Sequence, residues 1–136
     1  MKKEKKYTIT CTEEQLRLIA HAVEDWHRFL SGQCELSNAT SYINDAHTMH
    51  ECQDALRQYI RHYVVPELPH PFSSYGWSGG ECPNKHQRHA IAQSYGIYRQ
   101  ILHFFAVSKG HDNVYTSDTL TCDDSIPLIE VKEVLD

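Results

Sequence analysis

Residues 7–32, YTITCTEEQLRLIAHAVEDWHRFLSG, change their period part-way along, and that change decides the fold class. Tyr7, Ile9 and Cys11 alternate with Thr8 and Thr10, the period-two pattern of a half-buried strand. At Thr12 the pattern turns helical. Thr12 with Gln15 three residues on has the form of a capping box, in which each side chain bonds the other residue's backbone N–H. Leu16, Ile19, Ala20, Val23, Trp26 and Leu30 then recur by threes and fours, and Gly32 is a natural stop. A strand leading into an amphipathic helix is the expectation.

Residues Gln33 to Thr40 read as a polar connection. A second helix is predicted over Ser41–His62, with Tyr42, Ala46, Met49, Cys52, Leu56, Tyr59 and the adjoining Tyr63 as its apolar stripe. Pro66, Pro69 and Pro71 forbid regular helix, and a long loop extends to Pro83, which suits a first helical turn. A third helix is predicted from Asn84 to Ser108, its stripe Ile91, Tyr95, Tyr98, Leu102 and Phe105, its end capped by Gly110. Asp112–Asp124 reads as a strand or turn, and Ile126–Leu135 as a final strand carrying Leu128, Ile129, Val131 and Val134. The order gives an α+β domain: three main helices packed on a small, mostly antiparallel sheet formed by the N- and C-terminal segments. The alternative is a helical bundle with partly paired ends. One domain over residues 1–136 is expected, with residues 1–5 as a disordered tail.

The bulk numbers narrow the function classes. Hydrophobic content of 40% and charged content of 23% suit a soluble globular chain. No apolar run reaches the roughly 20 residues that span a bilayer, so no membrane partner is expected. MKKEKKYTIT is basic but has no apolar core of a secretory signal. Cys11, Cys34, Cys52, Cys82 and Cys122 are odd in number and form no C-x-x-C pair, which points to reduced thiols in a cytosol. A net charge of −5 argues against duplex nucleic acid, whose binding rests on many Lys and Arg side chains.

A local basic site is still compatible with that total. Residues 73–89, SSYGWSGGECPNKHQRH, join an aromatic, glycine-rich loop to a helix start. Tyr75 and Trp77 offer flat faces for stacking, and the backbone around Gly79, Gly80 and Asn84 is suited to meet phosphate. Lys85, Arg88 and His89 add charge where the helix dipole already favours an anion, and Arg99 joins them if its face turns inward. The pattern is neither G-x-x-x-x-G-K-[ST] nor G-x-G-x-x-G, and a plain structural loop reads the same way.

Ten histidines raise the question of metal. His47, His50 and Asp54 share one face of the second helix, Glu24 and His27 form one Glu-x-x-His pair without a second, and Cys82, His86 and His89 make an incomplete C-x3-H-x2-H. No set is complete, so no metal, no cofactor and no catalytic residue is expected. Gly76-Trp77-Ser78-Gly79 also lacks the spacing of a nucleophile elbow.

The runs YTITCTEEQLRLIAHAVEDWHRFLSGQ and SYGWSGGECPNKHQRHAIAQSYGIYRQILHFFA resemble small uncharacterised proteins carried by phages and mobile elements of gut bacteria, over about Tyr7 to Val134. The resemblance brings no established activity. It implies a phage accessory protein, a class that often counters host defence, some members by sequestering a nucleotide-derived signal. The leading expectation is therefore a non-catalytic counter-defence sponge for a nucleotide-like small molecule. The alternatives are an interaction module that inhibits a host or phage protein, and a metal-dependent hydrolase. Homo-oligomerisation is left open.

Overall fold

The computed structural model describes residues 5–33, 36–67, 77, 82–110, 127 and 129–135. Helix α1 spans Glu13–Ser31, α2 Ser37–Thr40, α3 Ala46–Tyr59 and α4 Lys85–Ser108, with a π-helical turn over Ile60–Val64 directly after α3. Among the described residues there is no strand, so the α+β expectation is corrected to an all-helical architecture. Residues 7–12 and 129–135 take no regular secondary structure and join no ladder among the described residues. Alternation makes a segment competent to pair, but a strand exists only when a neighbour takes up its N–H and C=O groups. Asp112–Asp124 lies outside the described residues.

α1 begins as its sequence predicts. The Thr12 side chain accepts from the Gln15 N–H at 3.1 Å, and Gln15 Oε1 accepts from the Thr12 N–H at 3.0 Å. Its end is a Schellman turn: Gly32 has φ 88°, the Gly32 N–H reaches the Phe29 carbonyl and the Gln33 N–H reaches the Arg28 carbonyl. α4 opens on Asn84, whose side chain accepts from the Gln87 N–H at 2.9 Å. Pro83 therefore stands just ahead of the cap rather than in the first turn.

α1 and α4 pack antiparallel and carry the core. Arg17, early in α1, lies 4.0 Å over the ring of Phe105, late in α4. His27, late in α1, meets the carbonyl of Ile91, early in α4. Between these points Ala20, Tyr98, Ile101, Leu102 and Phe105 form a buried cluster, flanked by Leu16, Ile19, Val23, Tyr95 and Val131. Each large aliphatic side chain removed from water here contributes about 1.5–3 kcal/mol.

A polar clamp ties α2 to the outer side of α1. The buried Asp25 carboxylate accepts from the Ala39 N–H at 2.7 Å and from Asn38 Nδ2 at 2.9 Å. Asn38 Nδ2 also donates to Glu24 at 2.7 Å, and Arg28 donates to Ser37 Oγ at 2.7 Å. α2 thus forms in a stretch that reads as plain connection.

The second predicted helix is shorter at its start and longer at its end than its pattern suggests. Asp45 caps α3 through the Thr48 N–H and hydroxyl, leaving Ser41 and Tyr42 in a turn. Past Tyr59 the ladder widens to five residues, with the Val65 N–H donating to the Ile60 carbonyl at 3.0 Å. Ile60 and Val65 are thereby both buried, while Tyr59 and Tyr63 turn out to solvent. The stripe read on this helix is inward only in part: Met49, Cys52 and Leu56 are half-buried, while Tyr42, Ala46, Tyr59 and Tyr63 are exposed. Trp26, assigned to the core face of α1, is likewise 55% exposed and stacks on Phe29 at 5.8 Å.

Gly32 sits where the backbone has no room for a side chain. A Cβ there would stand 2.7 Å from Val65 Cγ2, in a backbone conformation that L side chains resist. Gly110, at φ 78°, has nothing within 4 Å of that position. Gly110→Ala is therefore expected to lose only the left-handed backbone cost of about 1–2 kcal/mol. Gly32→Ala should lose that and more, as read from urea denaturation midpoints of the two variants.

Candidate functional site

The segment expected to hold a ligand meets the rest of the molecule at the end of α1. A helix leaves its last four carbonyls without intrahelical donors. In α1, Arg28 and Phe29 are satisfied by the Schellman turn; the other two draw on residues far away in sequence. Gln87 Nε2 donates to the Leu30 carbonyl at 2.7 Å, and the Trp77 N–H donates to the Ser31 carbonyl. The same Gln87 amide reaches the Val64 carbonyl at 3.3 Å, at the end of the π turn. One side chain on α4 thus joins three helix ends.

Three of the six predicted ligand residues that are described, Trp77, Asn84 and Arg88, serve this junction. Trp77 is partly buried, Asn84 caps α4, and Arg88 donates from its guanidinium to the Cys82 carbonyl at 3.0 Å. Cys82 itself is buried, with its Sγ 3.8 Å from the Asn84 carbonyl. Lys85 and His89 are exposed on the first turns of α4. Arg99 lies eleven residues beyond Arg88, about 16 Å along the axis, and its guanidinium carbon sits 5.5 Å from the Tyr95 ring centroid. It is not brought to the helix start. Tyr75, Gly79 and Gly80 lie outside the described residues.

The histidines divide in the same way. His47 pairs with Glu51 at 2.9 Å, Asp54 lies 3.8 Å from Arg57, and His86 is exposed. Among the described residues no group of three His, Cys, Asp or Glu could hold a metal ion. His27 is different: it is buried, its Nδ1–H donates to the Ile91 carbonyl at 2.9 Å, and its ring is tilted against Tyr95 and Tyr98. Burial pulls its pKa below the ordinary value of 6.5 against the opposing pull of the Ile91 bond. Burial likewise pushes the Tyr98 phenol up to about 12. These groups belong to the core.

A second surface escapes the period-based reading. Around the π turn, Ala55, Gln58, Tyr59, Arg61, His62 and Tyr63 line a shallow, open groove of about 670 Å3. The Tyr59 and Tyr63 rings lie 5.0 Å apart, and His62 stands edge-on to Tyr63 at 4.5 Å. Tyr63 is 68% exposed. Three aromatic rings in mutual contact thus sit in solvent beside a guanidinium. The run Tyr-Ile-Arg-His-Tyr at 59–63 carried this signal, but a period of 3.6 turns its tyrosines inward.

No protein family, curated protein or solved structure matches this chain. Among the described residues no helix is long and apolar enough to cross a membrane.

Two outcomes follow from this geometry. Gln87→Ala strips donors from two carbonyls and is expected to lose about 1–3 kcal/mol of stability, measured by chemical denaturation. The second concerns pH. The folded state holds His27 neutral, so the unfolded state binds more protons in the window just below pH 6.5. Stability should therefore fall as pH drops through that window and level off below the depressed folded value. A His27→Gln variant should lose most of this slope in melting temperatures taken between about pH 7 and 5.

Proposed function

We propose that this chain is a non-catalytic binding protein that docks a protein partner on the exposed face of α3 and the π turn. The observation that carries the reading is the solvent-exposed cluster of Tyr59, His62 and Tyr63 beside Arg61. Tyrosine and arginine dominate the energetics of protein interfaces, because each brings large contact area and a polar end at small entropic cost. The groove is shallow and open, whereas small ligands need concave sites that surround them. α3 also buries none of its 14 residues, and an isolated helix of that length is marginal in water. A partner laid over its face would complete it. The resemblance to phage-carried accessory proteins makes a host or phage protein of the bacterial cytosol the natural partner.

The test is a photo-crosslinking residue at position 59 or 63 in expressing cells, with position 18 on α1 as the control. One discrete adduct from 59 and 63 but not from 18 is the expected result. With that partner purified, Tyr63→Ala should weaken binding about tenfold or more in calorimetry. Identical adduct patterns at all three positions would sink the reading.

A second reading, sequestration of a nucleotide-derived molecule, is favoured by the start of α4. Lys85, His86 and His89 are exposed there and the first turn holds no carboxylate. Arg88→Ala is a poor probe, since it also frees the Cys82 carbonyl. Lys85→Glu leaves the junction alone. In calorimetry against mono-, di- and cyclic nucleotides, this reading expects one ligand to bind, and Lys85→Glu and Trp77→Ala each to weaken it about tenfold. No binding to wild-type protein removes the reading.

A further inference from the structure

The groove at the π turn is one-sided in its chemistry. Gln58, Tyr59, Arg61, His62 and Tyr63 each bring a side-chain N–H or O–H to its lining, and Ala55 brings no polar group. No carboxylate lines it. The same bias runs along the chain, because residues 55–66 hold Arg57, Arg61 and His62 and no Asp or Glu. Over the whole protein the balance is the reverse, with 18 acidic against 13 basic residues. The last carboxylate of α3, Asp54, stands outside the lining and lies 3.8 Å from Arg57. The groove is a donor-rich, locally basic patch on an acidic molecule.

Basic side chains near a helix end also suit the helix dipole. That effect accounts for Arg57, Arg61 and His62, but not for the two phenols and the amide beside them. Tyr59 and Tyr63 are 53% and 68% exposed, so their hydroxyls and ring faces are open to a partner. Such a surface fits an occupant that brings hydrogen-bond acceptors and apolar contact together. A guanidinium takes both oxygens of a carboxylate in parallel, and its five N–H groups allow this beside another contact. Single-stranded nucleic acid also offers acceptors and flat faces, but its binding sites set many cations along the backbone. Here one guanidinium and one imidazole line the groove, on a chain of net charge −5.

We infer that the part of the partner seated in this groove is an acidic peptide segment. Its carboxylates meet Arg61 and His62, and an aromatic or aliphatic side chain of the same segment lies across Tyr59 and Tyr63. The inference rests on the docking role proposed above and adds the chemistry of the docked segment. Because the patch is open to solvent, salt screens the attraction and weakens binding.

The test is a bead-bound library of short random peptides, probed with the labelled full chain and with its Tyr63→Ala variant. Peptides that bind wild type but not Tyr63→Ala are expected to combine several Asp or Glu residues with an aromatic or aliphatic one. In fluorescence anisotropy, Arg61→Glu and His62→Glu should each weaken the strongest of them about tenfold or more. Rising salt should weaken it on wild type, and replacing its carboxylates by lysine should favour the two variants over wild type. His62 is exposed, so its variant carries the test if Arg61→Glu fails a circular-dichroism check of folding. Tyr63-dependent peptides with no excess of carboxylates, or equal binding to His62→Glu and wild type, overturn the inference and leave the docking reading standing. Recovery of no Tyr63-dependent peptide also overturns it, while the crosslinks from 59 and 63 decide the docking reading separately. Tighter binding of a single-stranded oligouridylate than of any selected peptide makes the occupant a nucleic acid. Self-association of the free chain that His62→Glu abolishes makes it a second copy. Either result overturns the inference.

Discussion

The Gln87 side-chain amide holds the architecture together at one end. It donates at once to the last turn of α1, through Leu30, and to the end of the π turn, through Val64. Those carbonyls point along their helix axes and need donors from outside their own helices. A neutral amide has two N–H groups to offer, whereas a hydroxyl has one and a carboxylate none. The position on α4 is fixed in turn by Asn84, which accepts from the Gln87 backbone N–H. Cap and bridge are therefore adjacent steps of one device, and Gly32 with Val65 closes the gap between the joined ends.

Much of this follows from local chemistry, and that part was legible. The capping box at Thr12 and Gln15, the stop at Gly32 and the start of α4 at Asn84 depend on residues within a turn of each other. The sheet was not legible, because alternation in residues 7–12 and 126–134 reports only what the segments are able to pair with. Whether a partner edge exists is decided elsewhere. The π turn was hidden for a related reason. Its extra residue keeps Ile60 and Val65 both inward, a tertiary preference that no fixed period predicts.

The candidate site was legible in part. The segment 73–89 does contain a helix start with exposed Lys85 and His89, as its sequence suggests. Asn84 serves as a local helix cap, and Arg88 and the Trp77 backbone have backbone carbonyls as partners that sequence spacing cannot reveal. Tyr59 and Tyr63 were visible as residues and misplaced as core, which turned the exposed groove into an apparent interior stripe.

The distribution of burial separates two kinds of surface on this small molecule. α1 and α4 use their facing sides fully, with Ala20, Ile91 and Ile101 almost without access to solvent. α3 and the π turn keep Tyr59 and Tyr63 outside, and segment 5–12 keeps Tyr7 and Ile9 outside. A chain of 136 residues has enough apolar content for one core. Here that core is built by two helices, and Tyr7, Ile9, Tyr59 and Tyr63 are not drawn into it. Scattered single apolar residues on a surface need no explanation, but clustered aromatics in mutual contact do. Their contact at the π turn is held by the backbone itself, because the widened ladder is anchored by Ile60 and Val65 on its buried side. The rings are thus positioned by the fold itself, which would lower the ordering cost for the partner proposed to dock there.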